Sequence, residues 1–598
     1  MYRRIIVSLI VGLLILGLCG TASAAGIPAE FLTTAEATDY LETSTYDQAI
    51  AYIRQLEAAS DLIRMSPIGI TPQGRTMYLA VLSKDKAFTP QEAAATGKPI
   101  VLVQNGIHPG EICGKEASLA LMRDILITKE HENLLDNVIF IVVPVFSVDG
   151  HENSSPDHRA NQIGPATMGF RATAQRLNLN RDFLKADSPE MQAWTRMFVA
   201  WRPHLLIDNH VTDGADYQYA ITSTITRHQN APAGIRAWSA EQFMPAVKRR
   251  LHGMGHEISP YVTFRGDDPS GGLWSWVASP RFSTGYAIIH NRPGMLVEMH
   301  MLKDFKTRVV ANYALMLAVL QELNDNPQAL VDAVKQAEEE TLAGLTEPYP
   351  LGLRNPGDSV MIDFLGYEYE YVRSEIAGKE WVRYFPDKPV TMRIPYFNQA
   401  QVTETVIPPK YYLIPQEWRL QVERLSLNGV ELRRLTEPLT VEVETYKLTE
   451  PEWAERSYEG RHRVSFQSET INTPKTFPTG TIVVPMKQLA AKVAMQLLEP
   501  KARDSFVAWG FFNTIFERKE YLEEFAAEKL AVEMLAADPE LKAEFEAQLD
   551  ADSTFRNSPR DRWYFFYQRS KYYEKDLNYY PVARLLNEVV MLTERYVP

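Results

Sequence analysis

The chain has 598 residues, and its 75 acidic against 62 basic side chains give a formal net charge of −13 at pH 7. Apolar residues make up 45% of the sequence and charged residues 23%, so it can bury a large core, and a disordered, collagen-like or coiled-coil chain is excluded for most of the length. The length predicts several packing units. The acidic balance argues against nucleic acid as a partner, and the two cysteines, Cys19 and Cys113, provide no disulfide framework.

The beginning of the chain has the pattern of an export signal. Two arginines precede an apolar run at positions 5–18, and Ala22-Ser23-Ala24 matches an A-x-A cleavage site. We therefore expect a signal peptide at residues 1–24, cleavage after Ala24, and a periplasmic or secreted protein. A retained signal that anchors the chain in a membrane is the alternative.

The rest of the chain divides into three regions by its patterns. Short β-rich runs alternate with helical patterns between about residues 46 and 345, which is typical of an α/β sheet covered by helices and predicts a catalytic domain at 25–345. Alternating Val, Tyr and Thr segments predict a β-rich domain at 346–485. Helical periodicity returns afterwards and predicts a helical, aromatic-rich C-terminal region at 486–598.

The first candidate for chemistry is Gln104-Asn-Gly-Ile-His108-Pro-Gly-Glu111, which follows an apolar strand and precedes a helix. A Pro-Gly turn at a strand end lets an imidazole and a carboxylate three residues apart point at one position. Both groups are good Zn²⁺ ligands. The alternative interpretation is a polar turn that caps the next helix.

A third ligand is offered by His210, which ends the apolar strand His204-Leu-Leu-Ile-Asp-Asn-His210. A catalytic zinc needs three protein ligands and one open position for water. His108, Glu111 and His210 satisfy that count, so the sequence predicts Zn²⁺ as cofactor.

Two further segments carry groups that suit hydrolysis. Asn180 and Arg181, with Arg171 nine residues before Asn180, could offer a fork for a carboxylate and a cation for a developing oxyanion, or could form a solvated basic loop. Glu298 closes the apolar strand Arg292-Pro-Gly-Met-Leu-Val-Glu298 and could be a general base or a partly exposed strand end. His300, two residues further on, is either an extra ligand or a packed side chain.

In chain order, these segments resemble the zinc metallocarboxypeptidase family, with H-x-x-E, then N-R, then a lone His, then a Glu at a strand end. Residues 69–75, Gly-Ile-Thr-Pro-Gln-Gly-Arg, also look like the entry turn of that family. The resemblance covers about residues 46–345. It implies a mixed β-sheet flanked by helices and a bacterial secreted peptidase that hydrolyses an amide bond with zinc-activated water.

The resemblance also implies the roles at the metal. His108, Glu111 and His210 correspond to the zinc ligands, and Glu298 corresponds to the general base.

Four further residues correspond to groups that contact the substrate. Asn180 and Arg181 match the pair that holds the free carboxylate of a peptide, and Arg171 resembles the oxyanion-stabilising arginine of bacterial members with an R-A-N-A-N-G-V-D-L-N-R-N-F pattern. Tyr286 is the nearest candidate for the tyrosine that covers the substrate.

Two departures from the family pattern concern charge. Asn178 stands where the pattern has Asp, so a partner that would orient a zinc-bound His lacks its charge. Asp182 replaces an Asn after the Asn-Arg pair and is expected to add negative charge beside the carboxylate site.

Other functions are open at this point. One alternative is a zinc amidohydrolase that acts on cell-wall peptides or N-acyl amino acids, and another is a non-catalytic peptide-binding scaffold. We expect a peptide substrate, no nucleic acid and no membrane contact beyond the signal segment, whereas the sequence leaves the oligomeric state open.

Overall fold

The computed structural model describes residues 27–212 and 214–598, so the signal peptide predicted at 1–24 lies outside the described residues. In the first half, helices and strands alternate as the sequence predicts. The helices are α1 (Thr34–Ala37), α2 (Tyr46–Ala59), α3 (Pro90–Ala95), α4 (Cys113–Leu126), α5 (Val148–Glu152), α6 (Pro189–Trp201), α7 (Ala233–Ala237), α8 (Met244–Gly253), α9 (Ser283–Ile289), α10 (Phe305–Asp325) and α11 (Pro327–Ala343). The strands are β1 (Ile63–Ile70), β2 (Thr76–Leu82), β3 (Ile100–Gln104), β4 (Ile139–Val143), β5 (Ser154–Ser155), β6 (Met168–Gly169), β7 (Leu205–Val211), β8 (Ile221–Ile225), β9 (Ile258–Pro260), β10 (Leu273–Trp274) and β11 (Gly294–Met299).

An eight-stranded sheet forms the framework of this half, in the order β1-β2-β4-β3-β7-β11-β8-β9. The four central strands β4, β3, β7 and β11 run parallel, while β2 and β8 pair antiparallel with their neighbours, so the sheet is mixed. Every residue of the central strands is buried, as expected for apolar strands covered on both faces. The α/β fold with a mixed sheet flanked by helices is confirmed.

Helices α4 and α10 pack on one face of this sheet. A Cβ at Gly114 of α4 would lie 2.7 Å from the Cβ of Asn209 in β7, so glycine permits this close approach. Asn312 of α10 donates a hydrogen bond to the Asn209 side chain over 3.1 Å. Because successive strand residues alternate between faces, Asp208 and His210 point to the other side of the sheet.

The second half is rich in strands at first and then mostly helical. Its strands are β12 (Tyr349–Arg354), β13 (Val360–Arg373), β14 (Glu380–Phe397), β15 (Gln401–Val406), β16 (Tyr411–Ile414), β17 (Leu432–Leu435), β18 (Leu439–Trp453), β19 (Val464–Phe477), β20 (Ile482–Pro485), β21 (Ala583–Leu585) and β22 (Thr593–Tyr596). Its helices are α12 (Arg419–Leu427), α13 (Ala491–Leu498), α14 (Glu524–Ala537), α15 (Pro539–Ala551), α16 (Ser553–Asn557) and α17 (Pro559–Arg569).

Strand pairing connects the regions that the sequence patterns separate. A seven-stranded sheet has the order β19-β18-β21-β16-β20-β17-β22, so the last two strands of the chain complete a sheet that begins in the β-rich region. Strand β10 of the first half pairs with β14 of the second half. The pairings therefore cross both predicted domain boundaries, at 345 and at 485.

The hydrophobic core is also shared between the halves. One continuous cluster of buried side chains includes Val142 and Met295 of the first sheet together with Tyr412 and Val582 of the second half. Three smaller clusters accompany it. The predicted packing units thus rest on one main core. None of the described helices has both the length and the apolarity needed to cross a membrane.

A buried carboxyl at the start of α6 gives a prediction about folding stability. Burial, with the carboxylates of Asp149 and Asp182 nearby, raises the pKa of Glu190 from 4.5 to about 7. The folded protein therefore binds this proton more tightly than the unfolded chain, and the resulting stability is lost as the pH rises from about 4.5 towards 7. We expect Glu190→Gln, which stays neutral, to be more stable than the parent by about 1–2 kcal/mol at pH 8 and equally stable at pH 4, as measured by urea unfolding.

The exposed Glu347 provides the matched control, because Glu347→Gln removes a charge that is in water in both states. It should leave the free energy of unfolding unchanged at either pH. An equal gain from Glu190→Gln at pH 4 and pH 8 would show that ionisation of Glu190 is not its cause.

Candidate active site

His108 and Glu111 lie in the turn that joins β3 to α4. The backbone N–H of Glu111 donates to the carbonyl of His108 over 2.9 Å, which closes the turn. Both residues are buried, with exposed fractions of 4% and 2%. The N-cap of α4 is Ile112, and no side chain caps this helix, so the interpretation of the motif as a polar helix cap does not hold.

His210, near the end of β7, meets this turn from the neighbouring strand. Its Nδ1 lies 3.0 Å from Oε2 of Glu111 and 3.3 Å from Nδ1 of His108, while Nδ1 of His108 lies 3.1 Å from Oε1 of Glu111. Ligand atoms bound to zinc at about 2.1 Å and tetrahedral angles are separated by about 3.4 Å. The three side chains therefore have the donor types and the spacing that zinc needs.

The outer nitrogen of each histidine has an oxygen partner. Nε2 of His108 lies 3.2 Å from Oδ1 of Asn178, and Nε2 of His210 lies 2.8 Å from Oδ2 of Asp208. Contacts of this kind orient the rings and leave the Nδ1 atoms for a metal. Asn178 thus contacts His108 at the position expected of an orienting partner, with an uncharged amide in place of a carboxylate. Sequence reasoning missed Asp208, although the two-residue period of β7 places it on the same face as His210.

Burial and neighbouring charges shift the pKa values of the three side chains in this cluster. Burial lowers the pKa of His108 to about 4. Burial acts in the same direction on His210, but the carboxylates of Asp208, Glu111 and Glu298 outweigh it and hold its pKa well above the ordinary value. Burial would raise the pKa of Glu111, yet His108 and other neighbours hold it well below the ordinary range. A carboxylate that stays ionised in a buried site, beside a neutral imidazole, suits a divalent ion.

Two arginines contact the carboxylate of Glu111. Nη2 of Arg159 lies 2.7 Å and Nη1 of Arg171 lies 3.3 Å from its Oε1 atom. The side chain of Arg171 is 49% exposed, so its guanidinium can also face a substrate. Sequence reasoning missed Arg159, because it lies outside every motif and reaches Glu111 through the fold of a loop. A Cβ at Gly110 would lie 2.6 Å from Cγ of Arg159, so glycine allows this approach.

Glu298 lies on β11, next to β7 in the sheet. It is directly paired with His210 in the parallel register, and paired residues of neighbouring strands project to the same face. Its exposed fraction is 8%, which does not fit the partly exposed strand end of the alternative interpretation, and its carboxylate is near enough to His210 to raise the pKa of that imidazole.

The Asn-Arg pair lies in a short 3-10 turn, Leu179–Arg181. Oδ1 of Asn178 accepts a hydrogen bond from the backbone N–H of Asn180 and so caps the turn. Arg181 donates from Nε to the hydroxyl of Tyr458 over 3.0 Å and from Nη1 to the carbonyl of Asn180 over 2.6 Å. Its guanidinium lies 4.5 Å from the centre of the Phe282 ring.

The cations near this turn differ in their partners. Nε of Arg281 lies 2.6 Å from the carboxylate of Asp504, and Arg461 makes two bonds of 2.7 and 2.8 Å to Asp187. Within residues 27–212 and 214–598, Arg181 has no carboxylate partner, and its contacts are a hydroxyl, a carbonyl and a ring. In this corner, Arg281 and Arg461 are therefore neutralised by carboxylates, whereas Arg181 contacts neutral groups.

Asp182 does not add negative charge to this corner, contrary to the expectation from the sequence. It is fully buried, pairs with Lys185, and accepts hydrogen bonds from the backbone N–H groups of Asp187 and Ser188 over 2.9 Å each. Its charge is compensated within the loop before α6.

Comparison with known proteins identifies the domain that carries this site. Residues 49–231 match the family model Peptidase_M14, described as zinc carboxypeptidase. The chain carries a zinc carboxypeptidase domain. It is a hydrolase of the metallocarboxypeptidase type, the cofactor of the family is zinc, and His108, Glu111 and His210 form a group whose donor atoms all lie within 4.8 Å of one another.

Similarity to known carboxypeptidases extends beyond residues 49–231. Carboxypeptidase 2 from Trichophyton equinum is 23% identical over 468 residues, which cover 73% of this chain and 78% of the relative. Carboxypeptidase B from Rattus norvegicus is 27% identical over 150 residues, covering 23% of this chain and 34% of the relative. Carboxypeptidase A from Helicoverpa armigera, a solved structure, is 15% identical with a TM-score of 0.36 and covers 50% of this chain and 75% of its own.

The predicted contact of Tyr286 with the substrate is wrong. Tyr286 has an exposed fraction of 0%, its ring packs against Trp194 and Phe198, and its hydroxyl donates to Oδ1 of Asn428 over 2.9 Å. Helix α9 turns this side chain into the core, where it fastens the second half to the first. The number of residues between Tyr286 and Glu298 does not determine the direction in which the Tyr286 side chain points.

His300 is packed among neighbouring side chains. Its Nε2 lies 2.9 Å from Oδ1 of Asp216, and the ring of Tyr217 stacks on it at 4.0 Å between centroids. Among the described residues, the potential metal-binding group consists of His108, Glu111 and His210. The packed alternative for His300 therefore holds.

Sequence reasoning also missed two residues of the second half that reach this site. Tyr458 contacts Arg181, and Oε2 of Glu459 accepts a hydrogen bond from the backbone N–H of Asn178 over 2.8 Å. About 280 residues separate the partners along the chain, and neither Tyr458 nor Glu459 lies in a motif, so the sequence offers no signal for the contact.

Proposed function

We propose that this protein removes residues from the free carboxyl end of peptides by zinc-dependent hydrolysis of an amide bond, with Glu298 as general base. The observation that carries the proposal is the spacing of His108, Glu111 and His210, with Glu298 paired to His210 on the next strand. This arrangement supports a metal site beside a carboxylate on one face of the sheet.

The zinc would be held by Nδ1 of His108, Nδ1 of His210 and the carboxylate of Glu111. When bound, zinc supplies a Lewis acid that makes water nucleophilic near neutral pH and polarises the carbonyl under attack. Asn178 and Asp208 keep the two rings oriented from behind, because each contacts an Nε2 atom.

Glu298 would move the proton. Its carboxylate accepts a proton from the attacking water and later donates it to the nitrogen of the leaving amine, so the same group serves as base and then as acid. The exposed guanidinium of Arg171, which already lies beside Glu111, would stabilise the negative oxygen that develops on the carbonyl.

Recognition of the free carboxylate would be the task of Asn180 and Arg181. The support for this role is the charge balance of the corner, in which Arg281 and Arg461 are paired with carboxylates. A substrate carboxylate would find its complementary charge on Arg181. Export by the segment at residues 1–24 is part of the same proposal, because that segment has the charge and the apolar run of a signal peptide.

The experiment that tests this proposal compares peptides with a free and an amidated C-terminus. We expect cleavage of the free peptide alone, with single residues released from its carboxyl end. Arg181→Ala should raise KM for the free peptide by about 10- to 100-fold at nearly unchanged kcat, because a hydrogen-bonded charge contact of about 1.5–3 kcal/mol is lost.

Arg176→Ala is the matched control, since Arg176 is exposed and only five residues away. It should leave both kinetic constants unchanged. Equal cleavage of free and amidated peptides would overturn the carboxypeptidase proposal in favour of an amidohydrolase, and zinc binding without cleavage of any peptide would favour a binding scaffold.

A further inference from the structure

The turn between β18 and β19 reaches the Asn-Arg pair from the second half of the chain. This β18–β19 turn, residues 458–461, is attached at three points to one loop of the first half. Tyr458 accepts from Arg181, Glu459 accepts from the backbone of Asn178, and Arg461 pairs with Asp187. Because three separate contacts attach it, the turn holds a defined position beside Asn180 and Arg181.

Tyr458 is 37% exposed, but its ring stacks on a neighbouring ring. It lies parallel to the ring of Trp509, with 7° between the planes and 6.0 Å between centroids. The backbone N–H of Tyr458 donates to the carbonyl of Arg461 over 2.8 Å and closes the turn. The hydroxyl is therefore held in place from the ring side and from the backbone side.

The hydrogen bond to Tyr458 occupies one edge of the Arg181 guanidinium and leaves another edge available. A guanidinium has five N–H groups, one on Nε and two on each Nη. Tyr458 takes the Nε group and the carbonyl of Asn180 takes one group on Nη1. The edge formed by Nη1 and Nη2 retains N–H groups that can bind a carboxylate in a two-pronged contact.

We propose that Tyr458 is a positioning residue for substrate recognition, whose hydroxyl fixes Arg181 so that its Nη1–Nη2 edge faces the carboxylate of the peptide. The inference rests on the proposed function, in which Arg181 binds that carboxylate. It assigns part of the recognition site to the second half of the chain.

Glu459 strengthens the same arrangement. Its carboxylate holds the backbone of Asn178, whose side chain in turn caps the Leu179–Arg181 turn and contacts His108. The β18–β19 turn thus fixes the segment that links the carboxylate site to the metal ligands. Residues 25–345 by themselves do not contain this support.

The test uses the full-length zinc-loaded protein and measures binding as well as turnover. Tyr458→Phe keeps the ring on Trp509 and removes the hydroxyl alone. We expect its Kd for N-acetylphenylalanine, measured by calorimetry, to rise about tenfold, while its Kd for N-acetylphenylalaninamide stays unchanged. With a free-carboxyl peptide, KM should rise by a similar factor at unchanged kcat.

Tyr411→Phe is the control, because Tyr411 also loses one hydrogen bond, a 2.8 Å contact to the carboxylate of Glu588 on the seven-stranded sheet. If Tyr458→Phe binds the acid as tightly as Tyr411→Phe does, the inference is overturned and the proposed function stands. If the parent protein binds acid and amide equally, Arg181 is not the carboxylate site and both proposals fall. A loss of acid and amide binding together would assign Tyr458 a merely structural role.

Discussion

Replacing Glu298 by Gln is expected to lower kcat by about 10²- to 10⁴-fold, which is the contribution of a general base. Glutamine has the same shape but cannot accept the proton of the attacking water. Since Glu298 lies outside the three-residue metal group, the variant should retain the zinc content of the parent. Steady-state kinetics on a free-carboxyl peptide and metal analysis of the same preparation measure the two quantities.

The kinetics and the zinc content of Glu298→Gln together distinguish loss of the general base from loss of the metal. Glu347→Gln, an exposed position, should have the kinetics of the parent. A Glu298→Gln variant with near-normal kcat would remove this residue from the role of base. A variant that had lost both zinc and turnover would assign Glu298 to metal binding, against the geometry of the cluster.

The metal group could be predicted because its residues come in short segments at strand ends. His108 and Glu111 share one turn, and His210 lies near the end of a strand whose first three residues, 205–207, are apolar. The carboxyl ends of the parallel strands β3, β7 and β11 lie at one edge of the sheet, so the fold predicted from alternation already brings these segments together.

The contacts that were missed depend on tertiary structure instead. Arg159 reaches Glu111 from a loop, and Tyr458 reaches Arg181 from another sheet. Tyr286 was misplaced because a spacing along the chain does not determine which side of α9 faces the core. The pairing of β21 and β22 with the β-rich region also depends on tertiary structure, and no local sequence pattern predicts it.

Replacing His108 by Ala is expected to abolish stable zinc binding and, with it, turnover. Removing a group that hydrogen-bonds to a metal ligand typically lowers metal affinity by about 10- to 100-fold. Removing the ligand itself should lower it further. His108 is preferable to His210 for this test, because its outer partner Asn178 is neutral, whereas removal of His210 would leave the buried Asp208 without its partner.

Zinc binding can be followed without turnover. A ligand that binds only the folded protein raises its thermal stability, so added zinc should raise the Tm of the metal-free parent and leave the Tm of His108→Ala unchanged. His252→Ala, whose side chain is 77% exposed, should respond as the parent does. An His108→Ala protein that still gains stability from zinc and contains one ion per chain would mean that the ion binds elsewhere, and the hydrolytic mechanism built on His108, Glu111 and His210 would then have to be given up.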